Sequence, residues 1–284
     1  MSQRIAILGP GLLGTSIALA SRRVAGQSIA IWARRAEIVE ELRARHLADV
    51  VSDELRAVVA GADIVVLCVP IGAMPTLARE IAQHLRPDAL VTDVGSVKAP
   101  VVAQLSSILR GSARFVGSHP MAGSEKNGHA AASADLFDGR VCILTPDTTT
   151  AADALTDATG FWEMVGCQVL TLSPAQHDDI VALVSHLPHL LAATLVNTVA
   201  EKNPAAFDFH GPGFSDITRV AGGPPAMWTE ILCTNREAVR NSAEAMIEKL
   251  REIITLLDRE APMNEFLTKA RALRDRLRPT KNDV

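Results

Sequence analysis

Cysteine is scarce: Cys68, Cys142, Cys167 and Cys233 stand far apart, and no two form a C-x-x-C pair. That spacing argues against a zinc site and against a disulfide framework. The first three fall inside apolar, strand-like runs and read as small buried hydrophobes in a reducing, cytoplasmic setting. No cluster of lysine and arginine interleaves with aromatic residues, and the formal net charge is -4, which argues against a nucleic-acid partner. No uninterrupted apolar run reaches the ~18 residues of a membrane span. Residues 12–20 have the composition of a signal-peptide core, but the glycines around them account for that stretch better, and Arg4 alone makes a poor basic region. Tyrosine is absent altogether, and that absence excludes nothing.

What the chain does contain is ample material for a core: 48% apolar and 21% charged residues over a length of 284, long enough for two domains. Up to residue 172, strand-like and helix-like segments alternate. Strands are predicted over 4–8, 28–32, 64–69, 90–93, 114–116, 141–144 and 168–172, with helices such as 36–45, 74–85 and 97–109 between them. The strands are continuous apolar runs, as expected where helices cover both faces of a mostly parallel sheet. From residue 173 onward no strand is evident. Ser173-Pro174 is a helix start, with serine as N-cap and proline in the first turn. Val239, Ala243, Met246, Leu250, Ile253 and Leu257 recur at a 4-3-4-3-4 spacing that places them on one helical stripe. That stripe either packs within its own domain or also meets a second subunit.

The first predicted strand runs into Gly9-Pro10-Gly11-Leu12-Leu13-Gly14, a G-x-G-x-x-G spacing that opens a helix. The first glycine permits the tight turn, the second lets a pyrophosphate approach the backbone, and the third lets helix and strand pack closely. Amides at Leu12 and Leu13 then face the phosphates. The expected fold class is therefore α/β: an N-terminal Rossmann-type, mostly parallel sheet over residues 1–172 and an all-helical domain over 173–284. Val69 and Pro70, where the third predicted strand ends, join the candidate cofactor set. The second strand ends Ile31-Trp32-Ala33-Arg34-Arg35, without the acidic residue that holds a ribose 2′-hydroxyl in NAD enzymes. A small residue followed by Arg34 and Arg35 suits a 2′-phosphate, so NADP is favoured over NAD.

Gly117-Ser118-His119-Pro120-Met121-Ala122-Gly123-Ser124-Glu125 places a histidine, two hydroxyls and a carboxylate in what reads as a glycine-bounded loop after a strand. A titratable histidine in the same domain as a nicotinamide site points to dehydrogenation of an alcohol, the imidazole taking the hydroxyl proton. Further segments carry chemistry: Thr92-Asp93-Val94-Gly95-Ser96-Val97-Lys98, Val184-Ser185-His186-Leu187-Pro188-His189, Gly213-Phe214-Ser215-Asp216-Ile217-Thr218-Arg219 and Met227-Trp228. Together these motifs resemble the prephenate and arogenate dehydrogenases, the TyrA family of tyrosine biosynthesis, over nearly the whole chain.

The resemblance implies a nucleotide-binding domain followed by a helical dimerisation domain, and a homodimer. It also implies oxidative decarboxylation of prephenate to 4-hydroxyphenylpyruvate, or of arogenate to tyrosine. His119 matches the family's catalytic histidine, and Ser96 the serine that orients it with the substrate hydroxyl. Arg219 matches the arginine that binds substrate carboxylate, a task its planar fork suits. The resemblance also puts His189, and with less support His186, at the substrate pocket. These two form an H-x-x-H pair, but no third ligand is apparent for a metal. Ser124 and Glu125 are placed at the pocket mouth, the glutamate in a gating or hydrogen-bonding role. Lys98, at the start of a helix, is a candidate contact for phosphate or carboxylate.

A first strand beginning at Arg4 implies no N-terminal chorismate mutase, and a helical end implies no strand-rich regulatory segment, so any feedback by tyrosine acts at the active site. Two rivals remain at this level. A β-hydroxyacid-type reductase would rely on a lysine in the helical domain, and Lys202 and Lys249 lie in no comparable motif. A non-catalytic NADP-binding sensor would have no need for His119, Ser96 and Arg219 to converge.

Overall fold

Aliphatic and β-branched runs become the eight strands of a single sheet in the computed structural model, which describes residues 3–123 and 128–277. They are β1 (Arg4–Leu8), β2 (Ser28–Trp32), β3 (Val50–Ser52), β4 (Ile64–Leu67), β5 (Leu90–Asp93), β6 (Arg114–Pro120), β7 (Val141–Thr145) and β8 (Gln168–Thr171). The order across the sheet is β3-β2-β1-β4-β5-β6-β7-β8. Neighbours from β3 to β6 pair in parallel, β7 runs antiparallel to β6, and β8 is parallel to β7. The seven predicted strands are all present. β3 has no counterpart among them, because three residues are too few to show a period.

The helices of the sheet region are α1 (Leu12–Ser21), α2 (Ala36–Ala44), α3 (Leu55–Val59), α4 (Met74–Ala82), α5 (Ala99–Leu109) and α6 (Ala152–Val165). Successive strand residues point to opposite faces, and both faces are apolar here. Ile5, Ile7, Ile29, Ile31 and Val66 share one core with Ile17 and Ala18 of α1, Leu42 of α2 and Trp162 of α6. Ala6, Leu8, Val65, Leu67 and Val91 share the other with Val58 of α3, Ile81 of α4 and Leu105 of α5. Since β1 connects outward to β2 while β4 lies on its other side, the strand order reverses between β1 and β4. That crevice, beyond the carboxyl ends of the strands, is where open α/β sheets bind ligands.

Among the described residues, helices alone follow β8: α7 (Pro174–Val181), α8 (Leu187–Lys202), α9 (Pro212–Thr218), α10 (Pro225–Thr234), α11 (Arg236–Ile254) and α12 (Glu260–Arg274). Ser173 caps α7 as its sequence predicts. Its hydroxyl accepts from Gln176 N at 3.2 Å while Gln176 Oε1 accepts from Ser173 N at 3.1 Å, a reciprocal capping box. Between α7 and α8, residues Ala182–His186 form a π turn. Pro188 has no N–H to offer the carbonyl four residues back, and the wider turn lies just ahead of it. The extra residue lets His186 and His189 continue the buried face that His177 and Asp178 begin.

The change from strands to helices thus falls after Thr171, whereas the compact units divide after Arg236. α7 lies against α5, so the first helices after the sheet belong with it. The second unit carries α11 and α12. Val239 of the predicted stripe is buried, while Leu250 and Leu257 are exposed, the latter just past the end of α11. The 29-residue run Pro174–Lys202 is long and apolar enough to span a membrane by length and composition alone, as core helices of soluble proteins also are. His177, Asp178, His186 and His189 interrupt its apolar residues, which is why no uninterrupted run was expected. All four are buried.

Candidate active site

The glycine turn has the shape a dinucleotide requires. Gly9 adopts φ +113, and a Cβ there would lie 2.4 Å from the Cys68 carbonyl and 3.0 Å from Val69 Cγ1, so only glycine fits against the end of β4. A Cβ on Gly14 would meet Gly9 O at 2.1 Å. Around Gly11 the space is open: a Cβ there would meet nothing within 4 Å. The N-terminus of α1 has no side-chain cap, and its first intrahelical acceptance is Thr15 N to Gly11 O at 3.0 Å. The amides of Leu12, Leu13 and Gly14 precede that bond and are left for an anion. The strand-end contact also places Val69 beside the turn, and Pro70 follows it, exposed. Arg34 and Arg35 are exposed just past β2, Arg35 3.7 Å from Glu37.

Two of the sequence expectations need correction. His119 is not in a loop. β6 runs on to Pro120, and His119 pairs with Ile143 on the antiparallel strand β7, so the histidine is held by a ladder on a rigid element. The apolar run ends at Val116, but hydrogen bonding to β7 carries the strand four residues further. Lys98 is not offered to a phosphate or carboxylate ligand. It is fully buried, its ammonium paired with the equally buried Asp93 and donating to Ser118 O at 2.7 Å. Asp93 also accepts from Gly95 N at 2.8 Å and from Ser118 N at 3.1 Å. This ion pair ties the carboxyl end of β5 to β6, and with it the half-buried Ser96 and the buried His119.

Behind His119 stands a pair of residues that the sequence did not single out. His119 Nδ1 is 2.8 Å from His177 Nε2, the rings meeting edge to face, and His177 Nδ1 is 2.8 Å from Asp178 Oδ1. Asp178 accepts two backbone N–H groups from the start of α5, Lys98 N at 2.7 Å and Ala99 N at 2.8 Å. Asn235 Nδ2 donates to Asp178 O at 2.9 Å and lies 3.2 Å from His186 Nδ1. Burial drives the His119 pKa well below the ordinary histidine range, and the charges of His177, Lys98 and His186 push it the same way. Burial likewise lowers His177, against the opposing pull of Asp178. It takes His186 down to about 4. Every imidazole in the cluster is thus neutral near pH 7 and able to accept a proton.

His189 stacks on Trp228, ring centroids 3.6 Å apart, and its helix α8 lies against the turn that carries Val220. Arg219, at the exposed carboxyl end of α9, is the residue before Val220. The structure therefore brings His186, His189, Trp228 and the Arg219 segment together. His186 Nε2 and His189 Nδ1 are buried with no hydrogen-bond partner among the described residues. Ser124 and Glu125 lie outside the described residues.

Comparison with known proteins shows the family. Residues 17–171 match the family model for the prephenate dehydrogenase nucleotide-binding domain, and residues 173–270 match that for the prephenate dehydrogenase dimerization domain. The chain belongs to the prephenate dehydrogenase family. Cyclohexadienyl dehydrogenase of Zymomonas mobilis is 34% identical over 260 residues, 90% of this chain and 88% of its own. The structure of A. aeolicus prephenate dehydrogenase in complex with hydroxyphenyl propionate and NAD+ is 32% identical with a TM-score of 0.90, covering 96% of this chain and 98% of that one. Synechocystis arogenate dehydrogenase follows at 31% identity and a TM-score of 0.84, with 96% and 99% covered.

His177, Asp178 and Asn235 join the His119 cluster although nothing in the sequence reading singled them out. One signal was present: a histidine and an aspartate stand side by side one turn into a capped helix. Of the two lysines weighed for a β-hydroxyacid-type reductase, Lys202 is exposed at the carboxyl end of α8.

Proposed function

We propose that the chain oxidatively decarboxylates a cyclohexadienol, prephenate or arogenate, with a nicotinamide dinucleotide as acceptor and NADP favoured. The observation that carries this reading is a neutral, buried His119 held on β6 at the carboxyl edge of a sheet whose crevice fits a dinucleotide. When bound, the dinucleotide supplies the hydride acceptor. His119 takes the proton of the ring hydroxyl as hydride leaves the carbon bearing it. The bond to the ring carboxylate breaks, its electron pair enters the ring, and carbon dioxide departs. Aromatisation drives the step, so the protein's work is placement and proton acceptance. Ser96, at the end of β5, orients the hydroxyl with His119. Arg219 binds substrate carboxylate, and His189 and His186 present their unpartnered nitrogens to polar groups of the substrate. Ser124 and Glu125 are assigned to the pocket mouth on the family resemblance.

The side-by-side assay is reduction of NADP and of NAD with prephenate and with arogenate, followed by the absorbance of the reduced cofactor. Turnover of at least one substrate is expected, and turnover of neither contradicts the proposal. Arg219→Ala is expected to raise KM with a smaller effect on kcat, by roughly 10- to 100-fold if a charge-assisted contact of about 1.5–3 kcal/mol is lost. An unchanged KM contradicts the carboxylate contact. Arg34→Ser is expected to raise the NADP concentration required and leave NAD use nearly unaltered; a wild-type preference for NAD refutes the assignment of the β2 end. The dimerization-domain match and the exposed apolar residues of α11 and α12 support a homodimer through the helical region.

A further inference from the structure

The reading of His119 as the base leaves open what the two residues behind it do. An ionised aspartate only accepts hydrogen bonds, and Asp178 already receives two backbone N–H groups. His177 must therefore bring its proton to Nδ1, 2.8 Å from Asp178 Oδ1, which leaves Nε2 as an acceptor. His119, 2.8 Å from that acceptor, must then carry its own proton on Nδ1. The one lone pair left in the chain is on His119 Nε2. An imidazole and a carboxylate buried beside an apolar sheet cost desolvation that a pair of aliphatic side chains would not, so packing alone does not account for them.

We propose that His177 and Asp178 are positioning residues for the dehydrogenation: they fix the His119 tautomer that can act as base and carry away the positive charge it acquires. The proposal rests on the dehydrogenase reading and deepens it. As the substrate O–H bond breaks, a new N–H bond forms at His119 Nε2. The Nδ1 proton then passes to His177 Nε2, leaving His119 neutral and placing the cation on His177, against the Asp178 carboxylate. The cycle closes when His177 returns that proton to His119 Nδ1 and His119 Nε2 releases its own to solvent. Asn235 holds the arrangement by donating to the Asp178 carbonyl, and Lys98 and Ala99 fix the carboxylate through their amides.

The test pairs kinetics with a tautomer measurement. In the 15N spectrum of histidine-labelled wild-type protein, His119 is expected to be protonated at Nδ1 and bare at Nε2. Asp178→Asn can donate to His177 Nδ1, which reverses both rings and puts the His119 proton on Nε2. The expected loss in kcat is roughly 10²- to 10⁴-fold, with KM and dinucleotide affinity close to wild type. Because Asp178 also anchors the start of α5, a second pair of variants guards against misfolding. His177→Gln keeps an acceptor for His119 Nδ1 and should lose much less than His177→Leu, which keeps none. A wild-type His119 protonated on Nε2, or wild-type kcat in both Asp178→Asn and His177→Leu, overturns the relay. If the wild type turns over neither substrate, the dehydrogenase reading fails, while the tautomer spectrum still decides the relay.

Discussion

His119→Asn is expected to lower kcat by roughly 10²- to 10⁴-fold while dinucleotide and substrate still bind. Asparagine preserves much of the shape and can still donate toward His177, but it has no lone pair basic enough to take the hydroxyl proton. The same argument fixes the pH dependence. Burial lowers the His119 pKa, so the imidazole stays in its neutral, proton-accepting form at pH values where an exposed histidine would already be charged. The surrounding groups add to that shift in the same direction: His177, Lys98 and His186 all disfavour its cation. The acidic limb of kcat/KM should accordingly fall below pH 6.5, the ordinary value for histidine, and should vanish in His119→Asn. Turnover by that variant within a few-fold of wild type would remove the histidine from the chemistry.

Lys98→Met is expected to produce the largest loss of stability of any single change near the site. The ammonium is fully buried, and removing it strands the equally buried Asp93 carboxylate with only backbone amides for partners. Breaking a buried pair by deleting one member costs roughly 3–5 kcal/mol. For a protein of this size that corresponds to a fall in Tm of about 6–20 °C. The double variant Lys98→Met/Asp93→Asn should recover part of the loss, because the stranded charge is gone. Calorimetry of the two variants checks this. A single variant as stable as wild type would show that the pair is not buried in solution as it is here.

Much of this was legible in the residues. The apolar runs become strands because both faces of the sheet are covered, and the glycine spacing places its turn because backbone crowding at Gly9 and Gly14 leaves no alternative. The Ser173 cap follows from local chemistry alone. What was not legible depends on pairing across the chain. His119 reads as a loop residue because its strand continues only by hydrogen bonding to β7, and no local period records a ladder. Lys98 looks like a ligand because a lysine at a helix start is ordinarily exposed. Its partner Asp93 lies only five residues away, but the burial of both is a property of the assembled sheet. His177 and Asp178 escape for a similar reason: their meaning lies in His119, 58 residues earlier, and in the amides of α5.

The central claim is that His119 accepts the proton of a ring hydroxyl bound at the edge of the dinucleotide crevice. A crystal structure of the protein with oxidised dinucleotide and 4-hydroxyphenylpyruvate tests it most directly. The account predicts His119 Nε2 within hydrogen-bonding distance, about 2.6–3.2 Å, of the phenolic oxygen. A product bound with that oxygen away from His119, or with the histidine turned toward solvent, would contradict it.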